Sequence, residues 1–117
     1  MNLLSPYFKR EEFACKCGCG FDTVDAVLLE ALIAIRSHFN QPVVVTSGCR
    51  CEAHNTRVGG SKSSQHKKGR AADIKVKSTS PALVADYAQE LGLSVGRYDT
   101  FTHVDSRSGP PRMWGVR

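Results

Sequence analysis

The sequence predicts an α+β domain in which helices flank a small, mainly antiparallel sheet. Two segments with helical periodicity alternate with short runs rich in β-branched residues, and only a brief turn separates the last two runs. The length of 117 residues suits a single domain, so we expect residues 1–117 to form one unit. Hydrophobic residues make up 41% of the chain, as in an ordinary globular protein with a modest core.

The main helix is predicted over Thr23 to Asn40. Apolar residues recur there at steps of three and four and form one hydrophobic face: Val24, Leu28, Leu32, Ile35 and Phe39. Asp22 or Thr23 can cap the first turn. Asn40 and Pro42 end the helix, because neither residue favours its continuation.

Shorter elements surround this helix. Residues 1–22 are expected to be mostly loop, with one helical turn over 9–13. A β-rich run predicts a strand over 43–46, a short helix is expected over 51–57, and a buried strand is expected over 71–76.

A second long helix is predicted to begin at Ser80-Pro81, with serine as the N-cap and proline in the first turn. Its inner face is expected to comprise three residues, before Gly92 ends it: Leu83, Tyr87 and Leu91. Two strands and an irregular tail are expected to follow: 95–98, 101–105 and 106–117. Trp114 should hold the tail against the body.

The charge and hydropathy of the chain indicate which partners it suits and whether it enters a membrane. The net charge of +5 suits an anionic polymer, such as nucleic acid or a bacterial cell wall. The basic residues are scattered without a continuous basic face interleaved with aromatics, which argues against nucleic acid. No apolar stretch approaches the roughly 20 residues that span a bilayer, and the N-terminus lacks a signal-peptide pattern. We therefore expect no membrane insertion, synthesis in the cytoplasm and a monomer.

Three residues form a candidate zinc site. His66 and Asp73 lie on either side of Gly69, which allows a turn that brings the two side chains together. His103 lies on the last predicted strand. Two imidazoles and one carboxylate can bind Zn²⁺ and leave a fourth position open, which is typical of catalytic zinc.

Four segments resemble the M15 zinc peptidases, which include D-alanyl-D-alanine carboxypeptidases and phage L-alanyl-D-glutamate endopeptidases. Residues 64–74 are similar to the family signature SxHxxGxAxD, and residues 46–50 to its SGxR segment. Residues 54–60 look like the family's HN…GG stretch. Residues 96–105 are similar to its closing GxGxY…FxHxD segment. The resemblance covers nearly the whole chain.

This resemblance implies the fold shared by lysostaphin-type peptidases and the hedgehog signalling domain, also called the hedgehog/DD-peptidase fold. It implies that His66, Asp73 and His103 bind zinc, that Arg50 binds a substrate carboxylate or carbonyl, and that Ser64 lines the cleft. A surface salt bridge for Arg50 and a turn hydroxyl for Ser64 are the alternatives. The implied activity is hydrolysis of a peptidoglycan stem or cross-link peptide by a carboxypeptidase or endopeptidase. A phage or prophage lysis enzyme, or endolysin, would fit.

The general base is the point where the chain departs from this family. Several members carry Glu or Asp three residues before the last zinc ligand, where this chain has Thr100. Asp99, four residues before His103, is one substitute. Asp105 is the other, because it shares a strand face with His103, and it could equally be a group that orients the imidazole.

The five cysteines leave three interpretations open. Cys15, Cys17 and Cys19 alternate in the N-terminal loop, and Cys49 and Cys51 flank the arginine of the SGxR segment. They could form disulfides between the two segments, a second structural zinc site with four thiolates, or free buried thiols.

Two other classes of function compete with the peptidase. A domain of the same fold could hold zinc without hydrolysing anything, which the threonine at position 100 leaves open. A nucleic-acid protein would instead show steeply salt-dependent DNA affinity.

Overall fold

A computed structural model describes residues 7–115 and confirms the α+β class. Three helices accompany five strands: α1 (Ala26–Phe39), α2 (Glu52–Arg57), α3 (Pro81–Glu90), β1 (Val43–Ser47), β2 (Ala71–Val76), β3 (Ser94–Arg97), β4 (Thr102–Asp105) and β5 (Met113–Gly115). Two 3₁₀ turns span Arg10–Phe13 and Gln65–Lys68. The strands form one sheet in the order β1-β2-β4-β3-β5, in which only the β3–β5 pair is parallel.

Helix α1 begins later than the sequence predicted. Its N-cap is Asp25, whose Oδ2 accepts a hydrogen bond from the Leu28 amide at 3.3 Å, rather than Asp22 or Thr23. The Asp25 amide also donates to the Gly69 carbonyl at 2.9 Å, which holds the residue in an extended conformation before the helix. Asn40 ends α1 as predicted, in a left-handed conformation with φ of 51°.

The core lies between the sheet and helices α1 and α3. From α1 it takes Leu28, Leu32 and Ile35, three of the five residues of the predicted apolar face, and the other two are partly buried against it. The predicted inner face of α3 was wrong for two of its three residues, since Leu83 is 56% exposed and Leu91 38%, whereas Tyr87 packs against the core. The buried residues of α3 are Val84, Ala85 and Ala88. Small alanine side chains suit close packing of a helix on a sheet, whereas the larger leucines lie at the surface.

The tail contains a short strand, whereas the sequence predicted an irregular segment there. Strand β5 adds to the sheet edge parallel to β3 and pairs Gly96 with Trp114. A Cβ at Gly96 would lie 2.7 Å from Trp114 Nε1, so only glycine leaves room for the indole. Trp114 Nε1 donates to the Tyr98 hydroxyl at 2.9 Å, so this tryptophan does hold the tail. Residues 116–117 of the predicted tail, like residues 1–6 of the N-terminal loop, lie outside the described part.

The sheet register determines where the polar residues of the candidate zinc site meet. Asp73 in β2 pairs with His103 in β4, which also pairs with Gly96 in β3. A bulge in β1 between Val45 and Ser47 brings Ser47 opposite Asp73. Bulges re-aim the chain beside functional sites. None of the helices in the described residues is long and apolar enough to cross a membrane.

Candidate metal centre

Three buried side chains converge on one point of the sheet. Asp73 and His103 are register partners in antiparallel strands, so their side chains lie on the same face. Asp73 Oδ1 is 3.0 Å from His103 Nδ1 and 3.2 Å from His66 Nε2. His66 comes from the 3₁₀ turn, which Gly69 ends with φ of 69°. One ligand atom from each residue lies within 4.8 Å of the others, so the predicted triad is brought together.

Each imidazole uses its other nitrogen to bind the protein. His66 Nδ1 lies 2.6 Å from the Gly48 carbonyl, and His103 Nε2 lies 2.7 Å from Asp105 Oδ2. Because a carbonyl can only accept, Nδ1 of His66 carries the proton and leaves Nε2 with a free lone pair. The carboxylate of Asp105 similarly favours a proton on Nε2 of His103, which frees Nδ1. Metal-binding histidines are held in this way, so these residues fit a zinc ion with two nitrogen ligands and one oxygen ligand.

The electrostatics of the triad favour a cation. Burial raises the pKa of Asp73, but hydrogen bonds from His103 and His66 outweigh burial and hold that pKa below its usual range. Burial lowers the pKa of His103, but hydrogen bonds to Asp105 and Asp73 outweigh it and raise that pKa. The two carboxylates thus stabilise a positive charge at His103. Zinc can supply that charge in place of the proton.

Asp105 is a fully buried carboxylate behind His103. The Arg107 guanidinium donates two hydrogen bonds of 2.8 Å to this carboxylate, from Nε to Oδ1 and from Nη2 to Oδ2. Burial raises the pKa of Asp105, but the bonds from Arg107 and His103 outweigh burial and lower it. The hydrogen bond to Asp105 in turn raises the pKa of Arg107. Asp105 is therefore ionised and engaged on both oxygens, on the side of the imidazole away from Asp73.

Arg50 reaches the triad from the loop after β1. Its Nη2 lies 3.4 Å from Asp73 Oδ2, the carboxylate oxygen that the histidines leave free. Nε donates to Ser47 Oγ at 3.3 Å, and Nη1 contacts the side-chain oxygen of buried Asn55 at 3.4 Å. Asn55 is itself held by donating to the Ser61 carbonyl at 2.8 Å. The guanidinium is thus fixed at the metal centre rather than in a surface salt bridge.

A cleft of about 700 Å³ opens over the triad. Three arginines and three aromatic residues contribute to its wall: Arg50, Arg107, Arg112, Tyr98, Phe101 and Trp114. Within residues 7–115, Asp73 is the only acidic residue of that wall. The excess of positive charge suits an anionic ligand.

Of the other predicted site residues, Ser64 lines the cleft and Asp99 does not. Ser64 lines it and also accepts a hydrogen bond from the His66 amide at 3.2 Å, so it is both a wall residue and a turn hydroxyl. Asp99 is exposed and lies on the β3–β4 turn without lining the cleft. Thr100 lines a separate, smaller cavity of about 140 Å³.

Sequence reasoning did not single out Arg107 or Gly48 as parts of the site. A signal for Arg107 exists, because it follows His103 and Asp105 at alternate positions, and alternate residues of an extended segment share a face. Gly48 belongs to the SGxR segment, but its residue type does not reveal this role, because it contributes only its backbone carbonyl. A Cβ at Gly48 would lie 2.6 Å from the Phe13 carbonyl oxygen, so the close packing of two loops requires glycine there.

An α+β fold with a buried His–Asp–His group at the floor of an open cleft is an arrangement that suits a metal-dependent enzyme, such as a metallopeptidase. The chain belongs to such a family, because the profile described as Peptidase M15 matches residues 6–105. This match confirms the resemblance inferred from the motifs. It includes the whole triad and ends at Asp105, before Arg107. A comparison with curated proteins finds no match.

Proposed function

We propose that this protein is a zinc-dependent peptidase that hydrolyses an amide bond in peptidoglycan stem or cross-link peptides. The observation that carries the proposal is the convergence of His66 Nε2, His103 Nδ1 and Asp73 Oδ1 at the floor of a positively charged cleft. Membership of the M15 family supports a peptide substrate and the hedgehog/DD-peptidase fold. A phage or prophage lysis role, with action on the bacterial cell wall, is the setting we infer from the same resemblance.

His66, Asp73 and His103 would hold the metal. A zinc ion held there would act as a Lewis acid on an amide carbonyl and would lower the pKa of a bound water molecule to about 7. The protein contributes the orientation of the two imidazoles, through Gly48 and Asp105, and a wall that leaves one side of the site open to substrate.

Substrate binding is assigned to the arginines of the wall. Stem peptides of peptidoglycan carry free carboxylates, and a guanidinium binds a carboxylate through two parallel hydrogen bonds. Arg50 is the best placed, because its Nη2 already lies beside the metal centre at Asp73. Arg112 also lines the cleft, has no acidic partner among the described ion pairs and offers a second anchor for a carboxylate.

Proton transfer from water needs an acceptor outside the triad. Asp105 is unsuited to this step, because it is fully buried and both oxygens are engaged by His103 and Arg107. We assign it to orienting His103. Asp99 is the remaining candidate. Its side chain is not part of the cleft wall, but it lies on the turn between Tyr98 and Phe101, which both line the cleft, and we propose it as the general base.

The assignment of Asp99 is tested by Asp99→Asn. General base catalysis contributes about 10²–10⁴-fold to rate, so we expect hydrolysis to fall within that range while zinc content stays unchanged. Asp86→Asn, which removes another exposed carboxylate, is the matched control and should retain full rate. Unchanged hydrolysis in Asp99→Asn would remove this residue from the mechanism.

The whole proposal is tested by measuring metal content and release of peptide fragments from purified cell wall. The wild type should bind zinc at the triad and release fragments whose masses identify the cleaved bond. His66→Ala should lose fragment release and the zinc held at the triad, which lowers the metal content by one zinc per chain. His38→Ala, at an exposed histidine of α1, should change neither. If the His66→Ala variant still hydrolysed the cell wall, the assignment of His66 to the catalytic metal site would be wrong.

A non-catalytic zinc-binding module is the second candidate. One observation favours it: across the described residues, the cleft wall holds no carboxylate besides the ligand Asp73. Such a protein would bind zinc through His66 and bind wall peptides without releasing fragments. The same measurement therefore separates the two functions.

A further inference from the structure

Four of the five cysteines form a cluster outside the catalytic cleft. Cys15, Cys17 and Cys19 come from the N-terminal loop, and Cys51 comes from the loop after β1. One sulfur from each lies within 4.8 Å of the others. The cluster thus joins two segments that are more than thirty residues apart in the chain.

The sulfur separations match those of a tetrahedral metal site. Cys15 Sγ is 3.4 Å from Cys17 Sγ, which is 3.6 Å from Cys51 Sγ. With Zn–S bonds of about 2.3 Å, the edges of a ZnS₄ tetrahedron are about 3.8 Å long. A disulfide would instead require about 2.05 Å, and all the cysteines here are free.

The backbone around the cluster is organised to hold it. The Cys15 amide donates to the Phe21 carbonyl at 2.7 Å, and the Gly18 amide donates back to the Cys15 carbonyl at 3.1 Å. These bonds close the loop. Gly18, between Cys17 and Cys19, and Gly20, directly after Cys19, have φ of 81° and 92° and allow the chain to turn there.

Backbone amides also point at the sulfurs. The Cys51 amide lies 3.4 Å from Cys15 Sγ, and the His54 amide lies 3.4 Å from Cys51 Sγ. Amide donors of this kind orient ligand atoms and neutralise part of the charge of a thiolate group.

The fifth cysteine has a different role. Cys49 is buried and its Sγ donates to the Thr23 carbonyl at 2.7 Å, so this thiol is occupied by a hydrogen bond inside the protein. It lies only two residues before Cys51. The chain therefore offers a matched pair of cysteines on one segment, one in the cluster and one outside it.

We propose that Cys15, Cys17, Cys19 and Cys51 bind a second, structural zinc ion. Binding replaces four S–H bonds by four Zn–S bonds and releases four protons to solvent, which leaves a closed site with no position for water. No oxidant is required. A site of four thiolates also binds Co²⁺, whose absorption spectrum can be used to detect the site.

The position of this site indicates what it stabilises. The segment 48–51 carries Gly48, whose carbonyl holds the His66 imidazole, and Arg50, whose amide donates to the His66 carbonyl at 3.0 Å. The same segment is tied to the N-terminal loop by a 2.7 Å bond from the Cys49 amide to the Phe13 carbonyl. A metal bound by the cluster would link segment 48–51 to the N-terminal loop and so stabilise the position of His66 at the cleft.

The test is zinc content per chain after purification under reducing conditions without chelator. His66→Ala/His103→Ala, which removes both histidine ligands, should retain one zinc. Adding Cys51→Ser should remove it, and adding Cys49→Ser should not. Serine is a good N-cap, so Cys51→Ser keeps the cap of α2. Serine at position 49 can keep the hydrogen bond to Thr23.

A second readout uses Co²⁺ in the His66→Ala/His103→Ala background. We expect the near-ultraviolet absorption of sulfur-to-cobalt charge transfer, and its loss in Cys51→Ser. The proposal is overturned if the histidine variant binds no metal and gives no such absorption. It is equally overturned if the mass of the unreduced protein shows disulfides among these four cysteines. Neither result depends on the variant Cys51→Ser folding, nor on any peptidase activity.

Discussion

Replacement of Asp105 by asparagine tests how the zinc site is built. Asp105 accepts hydrogen bonds from His103 Nε2 at 2.7 Å and from Arg107 Nε and Nη2 at 2.8 Å. Asparagine has almost the same shape but only one acceptor oxygen. Its amide nitrogen must therefore face either the imidazole N–H or the guanidinium, and both of these are donors.

The expected loss follows from that mismatch. A hydrogen bond to a charged group contributes about 1.5–3 kcal/mol, and residues that orient metal-binding histidines change metal affinity by about 10–100-fold when mutated. That fold-change corresponds to about 1.4–2.7 kcal/mol, so the two estimates agree. We expect Asp105→Asn to weaken zinc binding at the triad by about 10–100-fold.

Competition with a chromophoric chelator measures this affinity. It should be done in a Cys51→Ser background, so that only the triad is titrated. The control is Asp86→Asn, which removes an exposed carboxylate paired with Arg97 at 2.6 Å, and which should leave zinc affinity within about twofold, as for exposed pairs generally. An affinity for Asp105→Asn within twofold of its parent would refute the idea that Asp105 positions His103.

Two further predictions concern stability. In the metal-free protein the raised pKa of His103 stabilises the fold below its unfolded value of about 6.5, and this contribution is lost as pH rises through the folded value. The lowered pKa values of Asp73 and Asp105 stabilise the fold above about pH 3.9, and this contribution is lost as pH falls through the folded values. The urea midpoint in chelator should therefore be highest between about pH 4 and 6.5, and a midpoint that climbs steadily to pH 8 would contradict this. Gly48→Ala should lower the free energy of unfolding by about 1–3 kcal/mol, because its Cβ would meet the Phe13 backbone at 2.6 Å; an unchanged denaturation curve would show that the two loops can separate at no cost.

Across the described residues, the sequence patterns predicted the three helices and four of the five strands, but they did not identify every buried face. The apolar spacing located α1 correctly, because its residues face a large core. In α3 the same rule found Tyr87, which packs against the core, but missed the fully buried residues. Val84, Ala85 and Ala88 are buried while the predicted Leu83 is exposed. Small residues carry a weak periodic signal, although they are the ones that let a helix approach a sheet closely.

The short strand β5 was missed for a related reason. Met113–Gly115 is only three residues long and follows a segment rich in glycine and proline. Its strand conformation depends on the exposed edge of β3 and on the space that Gly96 leaves for Trp114. No pattern within such a short segment reveals a partner elsewhere in the chain.

The sequence by itself determined the fold class, the family and the identity of the His66–Asp73–His103 triad, because these depend on residue types at fixed spacings. The tertiary structure alone decided what each neighbour does. The register of β2 on β4 places Asp73 beside His103. Arg107 folds back onto Asp105 on the other side of that imidazole, and the packing of two distant loops selects Cys51 rather than Cys49 for the thiol cluster. Such roles depend on which atoms face each other across the fold. Separations along the chain do not specify those directions.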